Sequence, residues 1–279
     1  MSTRERPKVL VTGASGRVGG QVCRQLELAG ASVRAATRRP GALPSSRTVE
    51  TRAVDLAEPA TLTPALEGVD AVFLMWPFFD SAQEARRKVA PVAARLGAHA
   101  RRVVCLSSQG VENDRHTFWA VVEDAVAGHV REWTVLRPTG FAANARQWAP
   151  QIRRDGVVRW PFGRLARPLI HEADIAAVAV EALLHDGHQG RHYVISGPER
   201  VTQRAQVDII GAAIGRPLRW EELDRARAGS EYGIPDLMLD AWEGFTARPE
   251  PVTDEVRRLT GRPALSFADW ARDNAGLFR

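Results

Sequence analysis

Short apolar runs alternate with amphipathic stretches along most of this chain. Residues 8–12 (K-V-L-V-T) make a compact run with β-branched members, after which Val18, Val22 and Leu26 recur at helical spacing up to Gly30. Compact β-branched runs predict strands, and a 3.6-residue apolar period predicts helices. The same reading gives strands at 32–37, 49–54, 70–75, 102–106, 133–136 and 192–195, and helices at 62–66, 81–96, 117–127 and 173–184. Strands alternating with helices of this length predict right-handed βαβ units, and so an α/β fold with a doubly wound parallel sheet. From residue 197 the pattern changes. A helix at 202–214 and a short extended piece at 218–220 are followed by helical stretches separated by prolines. The expected organisation is a core at 1–196 and a smaller helical substrate lobe at 197–279. That lobe is expected over the carboxyl ends of the strands, where ligands of such sheets bind.

The first strand runs into Gly13, Gly16 and Gly19, spaced three apart, with the first helix directly behind them. Gly13 suits the tight turn, Gly16 a close approach of backbone N–H groups to a pyrophosphate, and Gly19 the packing of helix on strand. A phosphate there would meet unpaired donors and the positive end of the helix dipole. The strand–turn–helix context raises three glycines from an ordinary turn to a dinucleotide-binding signal.

Composition narrows the picture. The net charge is +5, but the arginines are dispersed in pairs such as Arg86–Arg87 and Arg153–Arg154. A nucleic-acid-binding face would cluster them, so no nucleic-acid partner is expected. No apolar run approaches the ~18 residues that span a bilayer. The N-terminus lacks an apolar signal region, and Cys23 and Cys105 fall in a helix and a strand. A cytoplasmic protein with reduced thiols is therefore expected, with no membrane partner. His185, His188 and His192 lack a convincing carboxylate or cysteine partner set, so no metal is expected. Oligomeric state is not legible.

Several segments carry a family resemblance. They are T-G-A-S-G-R-V-G at 12–19, V-D-L at 54–56, G-V-D-A-V-F-L at 68–74 and C-L-S-S at 105–108. W-T-V-L-R-P at 133–138, R-P-L-I-H-E-A-D-I-A at 167–176, Y-V-I-S-G-P-E at 193–199 and L-T-G-R-P-A-L-S-F-A-D-W at 259–270 continue it in order. Over essentially its whole length the chain resembles an atypical short-chain dehydrogenase/reductase of the NmrA-like branch. The resemblance implies a Rossmann core, a bound dinucleotide, and Asp55 near the adenine with Leu56 packing on the ring.

NADPH is the expected cofactor. An NAD site places an acid about 20 residues past the glycines, to hold the ribose 2′-hydroxyl. Here the second strand ends Thr37-Arg38-Arg39. A carboxylate would repel a 2′-phosphate, whereas a guanidinium forks onto it. The expected cofactor-binding set is Gly13, Ser15, Gly16, Arg17, Gly19, Arg38, Asp55 and Leu56.

The proton donor is the gap. Reductases of the resembled family use Tyr-x-x-x-Lys with a serine. This chain has two tyrosines, Tyr193 and Tyr232, and its two lysines, Lys8 and Lys88, precede both. The candidate catalytic residues left after the fifth strand are Ser107, Ser108 and His116. Either serine suits a substrate carbonyl or simply ties down its loop, and His116 is either a proton donor or an exposed loop histidine. His171 lies in a segment that lines the site in the resembled family.

Eleven of the nineteen aromatic residues fall between Phe73 and Phe162. Trp76, Phe79, Phe118, Phe141 and Trp148 follow the carboxyl ends of strands and are the candidate substrate-binding residues. They suit a bulky, flat, apolar ligand, with core packing as the competing reading. The expectation is an NADPH-dependent ketoreductase for a polycyclic aromatic ketone or quinone, as in the tailoring of aromatic natural products and antibiotics. A hydroxylated aromatic ketone would bring its own acidic phenol to serve as proton source. The alternative is a non-catalytic NmrA-like dinucleotide-sensing regulator.

Overall fold

The computed structural model describes residues 6–42 and 49–279. In chain order the first elements are β1 (Lys8–Thr12), α1 (Arg17–Leu28), β2 (Ser32–Thr37), β3 (Val49–Ala53), α2 (Leu62–Leu66) and β4 (Ala71–Met75). Next come α3 (Ala82–His99), β5 (Arg102–Leu106), α4 (Phe118–His129) and β6 (Glu132–Pro138). Then follow α5 (Ala149–Asp155), β7 (Val157–Trp160), β8 (Ala166–Arg167), α6 (Glu172–Leu184) and β9 (Arg191–Ile195). The chain closes with β10 (Val201–Thr202), α7 (Gln203–Ile214), β11 (Arg219–Glu222), α8 (Arg225–Tyr232), α9 (Asp236–Ala247), α10 (Glu255–Thr260) and α11 (Phe267–Asp273).

Seven strands form one sheet in the order β3-β2-β1-β4-β5-β6-β9, and β1 to β6 pair in parallel throughout. Strand order reverses between β1 and β4. That is the doubly wound, Rossmann-type α/β fold expected from the sequence. The strands are apolar runs because helices cover both faces. On one face Leu10, Val72, Leu74, Val103 and Cys105 pack with Leu62 and Leu66 of α2, Val89 and Leu96 of α3, and Val122 and Val126 of α4. Ser81 and Thr117 cap α3 and α4, their hydroxyls accepting from Glu84 N–H at 3.3 Å and Ala120 N–H at 3.4 Å.

The chain divides into two compact units. The first holds residues 1–138, 172–194 and 258–261; the second holds 139–171, 195–257 and 262–279. This differs from the single cut expected after Ser196, because 139–171 joins the later lobe. Its strands explain why: β7 pairs in parallel with β11, Val157 opposite Arg219, and β8 pairs antiparallel with β10. Those partners lie far along the chain and leave no local periodic signal.

The second unit has its own core, built on Trp148, Ile152, Trp160, Val207, Ile210, Trp242, Phe267, Trp270 and Phe278. Phe162, at a φ of 59°, is its one described non-glycine residue in the left-handed region. Gly163 N–H donates to both Glu222 carboxylate oxygens, at 3.0 and 3.1 Å, and Leu165 N–H donates to Phe162 O at 2.8 Å, so the turn is held from both sides.

Candidate active site

The glycine turn follows β1, at the point where strand order reverses. Gly13 sits at a φ of +65°, and Gly16 N–H closes the turn on Gly13 O at 2.8 Å. A Cβ on Gly19 would stand 2.2 Å from Gly13 O and 2.7 Å from Gly13 C. Helix α1 therefore lies directly on the turn, and only glycine permits that contact. Gly16 is the N-cap of α1 without a side-chain cap, and no acid occupies the helix's first turn. The orphan N–H donors of this helix end are thus left for an anion, unopposed by a carboxylate.

The end of β2 is tied to this turn. Ser15 Oγ and Thr37 Oγ1 are 3.3 Å apart, and Arg39 N–H donates to Thr37 Oγ1 at 3.3 Å. Arg17 and Arg38 are exposed, and among the described residues neither is in an ion pair. Free guanidinium groups beside a helix N-terminus suit a phosphate. Asp55 is half-buried and its Oδ1 accepts from Ala57 N–H at 2.9 Å, which shapes the turn after β3. Leu56 is buried within the apolar core on the α2 side of the sheet. Thr12 closes the switch point: its hydroxyl donates to Phe73 O at 3.2 Å and accepts from Met75 N–H at 2.7 Å. The turn and the bare helix end together suit the pyrophosphate of a dinucleotide.

Beyond the switch point the serines differ. Ser107 is 3% exposed and donates its hydroxyl to Glu123 Oε1 on α4. Glu123, buried at 2%, also accepts from Arg137 Nε at 3.1 Å and Nη2 at 2.6 Å. Arg137 Nη1 reaches Glu112 Oε1 at 2.7 Å, and His192 Nε2 stands 3.7 Å from Glu123 Oε2. Burial opposes the charge on Arg137, but its hydrogen bonds and charge pairing with Glu123 and Glu112 raise its pKa. Ser107's hydrogen is therefore engaged, which corrects the expectation of a donor at this position. Ser108 is half-buried and accepts from Gly110 N–H at 3.2 Å, so its own hydrogen is not used in that bond. His116 is exposed, and its backbone N–H bonds Asp114 Oδ1 at 2.8 Å.

The candidate substrate residues separate into two groups. Trp76 and Trp148 are each 1% exposed and pack into the cores of the first and second unit respectively. They are core side chains here, which corrects their reading as an open lining. Phe79 is 83% exposed and meets Phe118 at 5.6 Å and Trp119 at 6.2 Å between ring centroids. Phe118 and Trp119 lie 4.5 Å apart, so this part of the first unit carries an aromatic cluster. Phe141 is half-buried in the second unit, bridged to Ile170. His171 is buried there too, its Nε2 3.5 Å from Asp273 Oδ2. Sequence reasoning missed Glu123 and Arg137. The signal was present as an acid in α4 and the R-P that ends β6, but nothing local joins them.

The NAD(P)H-binding family matches residues 13–186, from the first glycine of the turn to the end of α6 and beyond. The chain belongs to the NAD(P)H-binding family. It is 40% identical to a (4-alkanoyl-5-oxo-2,5-dihydrofuran-3-yl)methyl phosphate reductase of Streptomyces griseus, over 97% of this chain and 99% of that one. It is 32% identical to an NAD(P)H azoreductase of Xenophilus azovorans, over 97% and 99% of the two chains. Among solved structures it resembles an NADPH-dependent quinone oxidoreductase of Escherichia coli in complex with NADPH. The TM-score is 0.81 at 22% identity, covering 97% of this chain and 100% of that one. The chain is an NAD(P)H-dependent oxidoreductase of that family.

Proposed function

We propose that this chain is an NADPH-dependent reductase whose hydride acceptor is a conjugated electrophile, not an isolated ketone. The observation that carries the reading is the chemistry at the end of β5. Ser107 has its hydrogen engaged by Glu123, and the sequence holds no Tyr-x-x-x-Lys. Reduced nicotinamide, when bound, supplies hydride; the protein must add orientation, exclusion of water and relief of the charge left on the substrate. Charge that collects on one isolated carbonyl oxygen in the transition state calls for a positioned general acid, whose loss typically costs ~10²–10⁴-fold in rate. A conjugated acceptor spreads that charge as it forms, so its reduction depends less on an acid supplied by the protein.

A quinone meets that requirement, and its flat rings suit the cluster of Phe79, Phe118 and Trp119. A hydroxylated aromatic ketone that carries its own phenol meets it as well. A second reading, an acyl-substituted unsaturated lactone, rests on the 40% identity to the Streptomyces griseus reductase, whose named substrate is of that kind. NADPH is preferred on the strength of Arg17, Arg38 and Arg39 and the missing acid at the end of β2. The regulator alternative has less support, because the relatives at 40% and 32% identity are named as reductases.

The deciding experiment is NADPH oxidation screened against quinones, acyl-substituted unsaturated lactones, hydroxylated aryl ketones and isolated ketones. Turnover of the conjugated acceptors with little on isolated ketones is expected. Turnover confined to isolated ketones overturns the acceptor class. Tight NADPH binding without turnover of any acceptor would favour the sensor.

A further inference from the structure

Ser107 and Ser108 are adjacent hydroxyls at the carboxyl end of β5, yet their hydrogen-bonding polarity differs. A serine hydroxyl has one hydrogen and two lone pairs. Ser107 spends its hydrogen on Glu123, an acceptor-only carboxylate that Arg137 holds with two bonds. Among the described residues no donor is directed at Ser107 Oγ. A buried hydroxyl thus stands with its proton committed and its lone pairs unused. Ser108 is the reverse, since it accepts from Gly110 N–H and keeps its hydrogen. Ser108 is extended, at φ −144° and ψ 143°, and Ser107 N–H carries the β5–β6 pairing one residue further by donating to Leu136 O at 2.8 Å.

The place matters as much as the polarity. Leu106, the last residue of β5, pairs in register with Met75 of β4 and Leu136 of β6. Ser107 therefore follows the sheet's carboxyl edge on the β4–β5–β6 side of the switch point. In this fold the dinucleotide crosses that edge with one mononucleotide half on each side. The glycine turn and Arg38 stand on the β1–β2 side, which leaves the nicotinamide half for the β4–β5 side. At that end the ligand's N–H donors belong to the carboxamide.

We propose that Glu123 is a positioning residue that presents Ser107 as a hydrogen-bond acceptor to the carboxamide N–H of the bound dinucleotide. Glu123 touches no ligand in this scheme; it acts through Ser107, and Arg137 fixes its orientation with two hydrogen bonds. The inference rests on the dinucleotide reading of the site and not on the identity of the substrate.

The test is equilibrium binding by titration calorimetry. Reduced NADPH is compared with its reduced 3-acetylpyridine analogue, in which a methyl group replaces the amide nitrogen. Wild type is expected to bind NADPH about two- to tenfold more tightly than the analogue, the range of one ordinary hydrogen bond. Ser107→Ala should bring the two affinities together by weakening NADPH alone. Glu123→Gln should also erase the preference, because a side-chain amide can donate to Ser107 and release its hydroxyl toward the analogue's carbonyl. Circular dichroism checks that Glu123→Gln folds; if it does not, Ser107→Ala carries the test. A merely structural Ser107 would lower the melting temperature and leave the NADPH-to-analogue ratio unchanged. An unchanged ratio in Ser107→Ala, or no preference in wild type, overturns the proposal. Failure of wild type to bind either nucleotide removes the dinucleotide reading itself, a result distinct from equal binding of both.

Discussion

The hydroxyls of Ser15 and Thr37 lie 3.3 Å apart and join the glycine turn to the end of β2. The same Thr37 Oγ1 accepts from Arg39 N–H, so one buried threonine sets the start of the arginine pair relative to the turn. Thr37→Val keeps the shape and removes both bonds. It should cost about 1 kcal/mol of stability, at ~0.5–1.5 kcal/mol per net hydrogen bond. NADPH affinity should fall in the same variant, as thermal melts and calorimetry will show. A loss of stability with unchanged affinity would separate the tie from the site.

Arg38 is free of ion pairs among the described residues and stands where a 2′-phosphate would be read. Arg38→Ala should weaken NADPH by about tenfold or more, since hydrogen bonds to charged groups contribute ~1.5–3 kcal/mol. NADH affinity should hardly move. Parallel titrations of both nucleotides decide the matter, and equal losses for the two would move the phosphate contact elsewhere.

Gly19 and Gly20 are neighbours with opposite tolerances. A Cβ at Gly19 meets backbone at 2.2 Å, whereas one at Gly20 stays 3.5 Å from Ala14 O. Gly19→Ala should destabilise by about 1–3 kcal/mol, as overpacking does, and abolish nucleotide binding by displacing the turn. Gly20→Ala should be neutral or gain up to ~1 kcal/mol of helix propensity. Denaturant melts of the two variants check the contrast.

His192 is held below the ordinary imidazole value, first by burial and then by the Arg137 charge, with Glu123 opposing. His188 is lowered too, mainly by burial. A folded imidazole that resists protonation binds fewer protons than its unfolded counterpart below about pH 6.5. The unfolded state then holds the extra protons, so stability is full above that pH and falls as the pH drops. His192→Gln should flatten the decline in melting temperature between about pH 7 and pH 5. An undiminished slope in that variant would assign the decline to other groups.

Burial pushes the Cys23 thiol up to about 12, with the Glu27 charge adding to it. Cys105 is fully buried and raised further, again mainly by burial. Neither presents a thiolate at neutral pH. A thiol-specific reagent should leave both unmodified in the native protein, with labelling following the denaturant unfolding curve. Fast native labelling of Cys23 would show that α1 opens locally.

The sequence alone determined the parallel sheet, the glycine turn and the arginines at the end of β2. Each rests on near neighbours along the chain: apolar runs at strand length, a 3.6-residue period, three glycines at three-residue spacing. Such patterns survive in one dimension because the backbone geometry that produces them is local. The tertiary structure decided the rest. Residues 139–171 join the second unit because β7 and β8 find their partners in β11 and β10, which lie distant in the chain. Trp76 and Trp148 read as ligand-facing by position and are core by packing, since which side of an aromatic ring is covered depends on helices that arrive from elsewhere. Ser107 makes the same point in chemistry. Its residue type announces a hydroxyl, but only the approach of Glu123, 16 positions away on α4, decides whether that hydroxyl gives a hydrogen bond or receives one.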